Sequence, residues 1–586
     1  MWVRRGEGCV ARTISLSTSR RSARSINAVN SIPASESAVM LRYLEVPSIR
    51  TWMHQRCADQ PDRAMSDTGL DPQRHRRAVI SVAIATAVVG FTTTAVTVGT
   101  RGMAADLSLS TVQLGWVVNS YLVAAAALVL VGGRLGDVVG RVRTLDLGLG
   151  IFAVASAVCA IAPGFWVLVA ARVGQGIGAA LILPSTIEVI AEYSPRGDES
   201  DGFRWRGLAY ASSFAIGPLI GGVLTDWFTW RWIFALDAAV VLIAGVVAAP
   251  LRNNPGRGTH RPTRDFLGAA LAAIVISLVV VLAERLATWD LLSAQVGATF
   301  ALAVVVVVIL VHHERRTPHP LLHPLILSDR TVLGADLATV GASLGMLSLL
   351  YFFNLFAQSA ATFDNGAVSV LVALGPFMVS MLLCAQFARW FGHRIGPRGP
   401  VTAGLVLMIA GFALLATVEA GTTRTQLLIP LTLAGVGAGV ANASLTAAAV
   451  LHLPAGRINE AAGWNSLSRL LGSAMALAVG TATFLSIAAT DAAGDMSHAA
   501  GALPSADPNG DAFDLAAAAL DRDLSGPLMA AVRADTAERF ATTMGVTAAI
   551  LSVLTVASWW LLRDAGASTR LRRRRRPWTP PAGRPR

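Results

Sequence analysis

The chain has 586 residues, 54% of them hydrophobic and 14% charged, with 48 basic and 36 acidic residues for a net charge of +12. It is too apolar for a soluble protein of this length, so its length counts helices in one bilayer bundle rather than soluble domains. The positive charge does not mark a nucleic-acid binder: the arginines fall in short loops and at the two ends, which is the pattern of membrane topology.

No lysine occurs in the sequence. That excludes a phosphate-loop lysine and Schiff-base chemistry in this chain, and leaves a gradient or another subunit as the energy source. Cys9, Cys57, Cys159 and Cys384 show no metal-ligand spacing and read as packing residues, so neither a metal nor a disulfide is expected. No catalytic constellation such as HExxH or a nucleophile elbow is present, and an enzyme is not expected.

Residues 1–76 are polar, rich in Arg and Ser and poor in acids. They read as a disordered tail, or as the product of a start placed too early, with Met65 heading a short basic leader before the first span. From Ala78 onward apolar runs recur, each close to the roughly 20 residues that cross a bilayer. Spans are placed at 78–100, 113–133, 145–163, 166–190, 207–226, 232–250, 266–284, 294–311, 331–357, 367–388, 400–419, 427–451, 463–489 and 540–562. Arginines cluster in alternate loops and in the tail, where Arg572 to Arg576 stand in a row, which puts both termini on the cytoplasmic side of the membrane.

The stretch from Gly133 to Arg143, GRLGDVVGRVR, is a glycine- and arginine-rich turn between the second and third spans. Gly133 and Gly140 permit a sharp turn, Asp137 is an acid at a helix boundary, and Arg141 and Arg143 mark one bilayer face. This string resembles the signature loop between helices 2 and 3 of the major facilitator superfamily, with Val138 in place of the usual basic residue. After the tenth span RWFGHRIGPR, holding Arg389, His393, Arg394 and Arg398, reads as a degenerate second copy of the loop.

On the fourth span Arg172 lies in apolar surroundings, with Gln175 and Gly176 one turn further on the same face. A guanidinium at that depth costs at least about 2.5–3.5 kcal/mol on insertion scales, so Arg172 should face a polar cavity or a partner. It resembles the family's fourth-helix arginine, which is linked to proton coupling. The fifth span reads SSFAIGPLIGGVL. Ser213, Gly217 and Gly221 recur every four residues as a smooth packing ridge, and Pro218 bends the helix. With Gly222 and the following Trp230–Phe234 string, this resembles the antiporter motif of exporters.

In the first span Thr92 and Thr97 stand where this branch usually carries an acid, a Thr and an Asn, and Arg101 stands at the family's Pro position. The remaining embedded acids are Glu188, Asp237 and Asp336. Glu188 falls about 160° around the helix from Arg172, so the two do not share a face. Asn119 and Tyr121 on the second span, and Asn354 and Gln358 on the ninth, are candidate cavity-lining groups alongside Thr92 and Thr97.

The expected fold is therefore an all-α polytopic membrane protein of the major facilitator type with fourteen helices. It comprises a six-helix bundle over 77–250, a central helix pair within 251–330, a second bundle over 331–563 interrupted by an outer loop at 490–539, and a basic cytoplasmic tail over 564–586. The resemblance to the fourteen-helix multidrug:proton antiporter branch implies efflux of small amphipathic compounds by alternating access. The energy source would be the proton gradient, with no bound cofactor. A facilitator or importer of a specific metabolite on the same fold, or a sensor that has lost transport, are the other readings. The expected partners are a small-molecule substrate and the bilayer; the chain reads as a monomer, and the sequence assigns no accessory efflux subunit.

Overall fold

The structure is a computed structural model. It describes residues 72–194, 200–252, 265–285, 293–317, 329–358, 367–395, 398–450, 458–486 and 526–562. The described residues form helices and no strands. In chain order these are α1 (Pro72–Val98), α2 (Thr100–Leu107), α3 (Thr111–Val139), α4 (Arg141–Ala160), α5 (Phe165–Tyr193), α6 (Ser200–Trp227), α7 (Arg231–Ala248), α8 (Phe266–Arg285), α9 (Ala294–Arg316), α10 (Arg330–Gln358), α11 (Ala367–Ile395), α12 (Arg398–Leu415), α13 (Arg424–Val450), α14 (Ile458–Ser486) and α15 (Gly526–Leu562).

All but the short α2 correspond to the fourteen spans read from the sequence. Twelve are long and apolar enough to cross a membrane, while α8 and α11 carry shorter apolar stretches at Leu267–Ala283 and Val372–Ala385. Their composition makes helix the only open state of the backbone in hydrocarbon, since every amide and carbonyl must be satisfied within the segment. Hydroxyls in the spans follow the same rule. Along α1, Thr86, Thr93, Thr94 and Thr97, and at the start of α2 Thr100, each bond a carbonyl three or four residues back, so a polar TTT string sits in the interior at little cost. Helix α3 opens with a reciprocal capping box between Ser110 and Gln113.

Among the first helices, α3 and α4 both pack along α5, and α7 packs against α4. Among the last, α11 and α12 pack along α13, and α10 and α12 both contact α15, with α14 against α10. The two groups meet through α3 with α14 and α6 with α11, and α8 lies against both α3 and α14. Helix α10 is the most enclosed, with 94% of its apolar window buried, against 17% for α9. Val305, Val308 and Ile309 on α9 point outward, as on a helix that meets lipid.

The last helix starts at Gly526, well before the span boundary placed at 540, so the end of the stretch read as outer loop is helical. Asp535 and Arg539 broke the hydropathy there, yet they neutralise each other one turn apart at 2.7 Å. Both are buried, and Arg539 also donates to the Phe484 carbonyl on α14 at 3.1 Å. The tail read at 1–76, apart from its last residues in α1, the tail read at 564–586, and Cys9 and Cys57 lie outside the described residues.

Candidate functional site

Arg172 on α5 is fully buried at the meeting point of five helices. Its Nε donates to the Val117 carbonyl on α3 at 2.9 Å, and its Nη1 donates to Gln175 Oε1 at 2.8 Å and to Thr92 Oγ1 on α1 at 3.4 Å. The guanidinium lies 4.5 Å from the centre of the Tyr121 ring and 5.9 Å from that of Phe234 on α7, a cation–π setting that suits a desolvated cation. Gln175 is fixed in turn by donating to Ser156 Oγ on α4 at 2.7 Å, and Cys159 Sγ lies 3.7 Å from Gln175 Oε1. Tyr121 donates to the Val89 carbonyl on α1 at 3.2 Å.

Asp237 on α7 completes the cluster. It is 1% exposed, and its carboxylate interacts with Thr92, Arg172 and Gln175. Neither of its oxygens has a hydrogen-bond partner among the described residues, and Arg172 Nη2 has none either. Arg172 and Asp237 feel each other's charge without forming an ion pair, and a cation and an acid buried on separate helices, each with an unsatisfied atom, are expensive to hold and point to a site that works rather than one that only packs. Sequence reading put Arg172 and Gln175 on one face and found Thr92, Tyr121 and Asp237 separately. It missed that they form one network, it read Cys159 as packing and Phe234 only as part of a motif string, and no sequence signal marked Ser156.

Glu188 stands apart from this cluster. Its carboxylate lies 3.7 Å from Arg141, and Glu192 lies 3.9 Å from the same guanidinium, so α5 holds the loop between α3 and α4 through one arginine. Gly140 makes that loop possible with a φ of +104°, where a side chain would be strained. Gly136 faces Glu188 so closely that a Cβ would come within 2.8 Å of its Oε2. Gly133 meets only ordinary contact with Pro184, and Arg143 is exposed. The Asp137 side chain lies outside the described residues, as do those of Arg389, His393 and Arg394 in the second copy of the loop.

The small-residue ridge of α6 packs on α1. A Cβ on Gly217 would meet Thr94 Oγ1 at 2.1 Å and the Phe91 carbonyl at 3.1 Å; one on Gly221 would meet the Ala95 carbonyl at 2.9 Å. Pro218 and Gly222 are buried beside them. Close approach of this kind drives helix association where lipid offers no hydrophobic gain. A Gly221→Val variant is therefore expected to lower the thermal stability of the purified protein by about 1–3 kcal/mol of overpacking, read as an earlier unfolding transition in detergent. Beyond the ridge, Trp230 Nε1 donates to Asp106 on α2 at 3.2 Å. Arg231 bonds both Asp106 and the Ala162 carbonyl, and its hydrogen bond holds the Asp106 carboxyl below the usual carboxylate range.

Across the two groups, Asn354 on α10 donates to the Thr97 carbonyl at 2.5 Å and to Thr100 Oγ1 at 3.2 Å, joining α10 to the far end of α1. Asn119 is buried in α3, and the Gln358 side chain lies outside the described residues. Asp336 sits in the other group, 3.5 Å from Asn465 Nδ2 on α14. Sequence reading also passed over Arg469 on α14, whose Nη1 donates to Asn442 on α13 at 2.6 Å; a lone cation inside the thirteenth apolar run was the available signal.

The pattern for the Major Facilitator Superfamily matches residues 80–477. The lincomycin resistance protein of Streptomyces lincolnensis is 30% identical over 330 residues, 56% of this chain and 68% of that protein. Multidrug transporter protein MdtP of Bacillus subtilis is 27% identical over 340 residues, 57% of this chain and 62% of that protein. Among solved structures, an inward-facing, unoccupied bacterial homologue of the human lysosomal transporter Spinster superposes with a TM-score of 0.58 at 15% identity, over 87% of this chain and 99% of that one, which shows the fold. The family match over more than half of the chain, the helical bundle it spans and these relatives together make this chain a transporter of the Major Facilitator Superfamily, not an enzyme.

Proposed function

We propose that the chain is a proton-coupled antiporter that exports small amphipathic compounds, drugs among them, across the bacterial inner membrane by alternating access. The observation that carries this reading is the buried Arg172–Asp237 pair with its unsatisfied atoms. Arginine keeps its proton at any physiological pH, so Arg172 cannot be the carrier. Asp237 can, and a guanidinium that moves toward or away from it changes whether the carboxyl holds a proton. Helix movements that open the bundle to one side and then the other would make that exchange with opposite faces of the membrane. Thr92, in the position of the branch's usual first-span acid, would then orient Arg172 instead of carrying the proton. The names of the relatives support drugs as the substrate class, and the α6 ridge against α1 with its Trp230–Phe234 continuation supports export over uptake.

In this account the six-helix bundles over 77–250 and 331–563 rock about the central pair within 251–330, with both termini cytoplasmic. Gly133, Asp137, Gly140, Arg141 and Arg143 form the latch of one state, and Arg141 is held by Glu188 and Glu192. Asp336 is left to a structural role. Asp137→Asn should leave the protein folded and inserted while cutting transport severely, because loss of an acid in the last turn of α3, beside the turn at Gly140, shifts a two-state balance. Drug efflux from cells expressing equal amounts of wild type and variant checks this, and normal efflux by Asp137→Asn removes the latch. The function itself is tested by drug accumulation in everted vesicles: uptake that collapses when the pH gradient is dissipated supports the antiporter, and uptake indifferent to the gradient supports the facilitator.

A further inference from the structure

A second charged cluster lies away from the Arg172 network and bridges the two helix groups. On α6, Arg206 and Tyr210 stand one turn apart and so share a face. Arg206 Nε donates to Thr186 Oγ1 on α5 at 3.0 Å. Facing them, Arg469 on α14 lies 5.6 Å from the centre of the Tyr210 ring and donates to Asn442 on α13 at 2.6 Å. The two arginines and Tyr210 interact electrostatically with one another. Arg206, Tyr210, Asn442 and Arg469 are half-buried, held among four helices and still reached by solvent. No carboxylate pairs with either arginine among the described residues. Two like charges held close away from bulk water repel each other, and each direct partner, Thr186 and Asn442, takes only part of a guanidinium with five N–H donors. What such a pair lacks is negative charge with several acceptor oxygens, which the planar arginine fork binds in bidentate fashion.

We propose that Arg206 and Arg469, with Tyr210 between them, form a binding site for the anionic group of a ligand lying between the two halves: a carboxylate, sulfonate or phosphate attached to an apolar body that can pack on the Tyr210 ring. The site joins α5 and α6 to α13 and α14, so an anion held there ties the two groups together. It does not depend on the direction of transport or on the proton chemistry at Asp237.

The test is equilibrium binding to the full chain in nanodiscs of phosphatidylcholine, without any gradient. The probes are 9-anthracenecarboxylate and its neutral analogue 9-anthracenemethanol. Wild type should bind the carboxylate at least about tenfold more tightly than the alcohol. Arg206→Gln and Arg469→Gln should each remove most of that preference while alcohol binding persists, which also shows that the variants are folded. Sodium sulfate should displace the carboxylate from wild type and leave the alcohol in place, a readout that needs no variant. Weakened carboxylate binding in discs containing phosphatidylglycerol would mean that a lipid headgroup also fits the site, and unchanged binding that it takes soluble anions alone. Equal affinity of wild type for the two probes, no displacement by sulfate, or full preference in both Gln variants would overturn the proposal. Because no gradient is applied, that failure leaves the export reading standing, and failure of proton coupling leaves the anion site standing.

Discussion

Asp237→Asn should abolish dependence of transport on the pH gradient while leaving drug binding close to that of wild type. Asparagine keeps the size and most of the polarity of the side chain but can neither ionise nor carry a proton. In the buried cluster of Arg172, Thr92 and Gln175 the change removes the carboxyl proposed to carry the proton. Counterflow, in which labelled drug exchanges for unlabelled drug without any gradient, should persist in the variant, and net uphill transport should be lost. If Asp237→Asn retains uphill transport, the carrier lies elsewhere, and Asp336 with its Asn465 partner is the next carboxylate to change.

Arg172→Ala should abolish proton-linked transport and also destabilise the protein, by roughly 3–5 kcal/mol, because it leaves Asp237 buried without its compensating charge. The two effects separate in a cycle. Arg172→Ala with Asp237→Asn should be more stable than Arg172→Ala alone, with a coupling energy of about 0.5–3 kcal/mol, while both remain inactive in net transport. Thermal unfolding of the four proteins in one detergent measures this. Additive losses would mean that Arg172 and Asp237 do not act on each other, and Arg172 would then be left to its bonds with Val117 and Gln175.

Much of this architecture is legible in the residues because the bilayer imposes so simple a rule on them. Apolar runs of bilayer length become helices whatever their neighbours do. Ser213, Gly217 and Gly221 announce a close approach, and the structure puts α1 there, with Gly217 against Phe91 and Gly221 against Ala95. The rule fails where charges cancel locally: Asp535 and Arg539 hid the start of α15 because hydropathy counts each charge alone and not their buried pairing. The Arg172 cluster was legible only in pieces for a related reason. Embedded charges announce that they need partners, but Thr92, Arg172 and Asp237 stand on three helices far apart in the chain, and no periodicity of one helix reports which face of another it meets. The angle of Glu188 around α5 did separate it from Arg172, and the structure gives it to Arg141 instead. Arg206 and Arg469 were obscured differently: the first stands one residue before the span read at 207–226, where an arginine reads as a topology marker, and nothing in the run around the second reports that it meets α6.

Proton movement in reconstituted vesicles measures most directly whether Asp237 carries the proton that drives export. Wild type and Asp237→Asn are incorporated at equal density into proteoliposomes containing a pH-sensitive dye, and a drug that both proteins bind is added under a drug gradient alone. The account predicts opposite proton movement coupled to drug flux in wild type and drug exchange without proton movement in the variant; drug-coupled proton movement of equal size in both would contradict it.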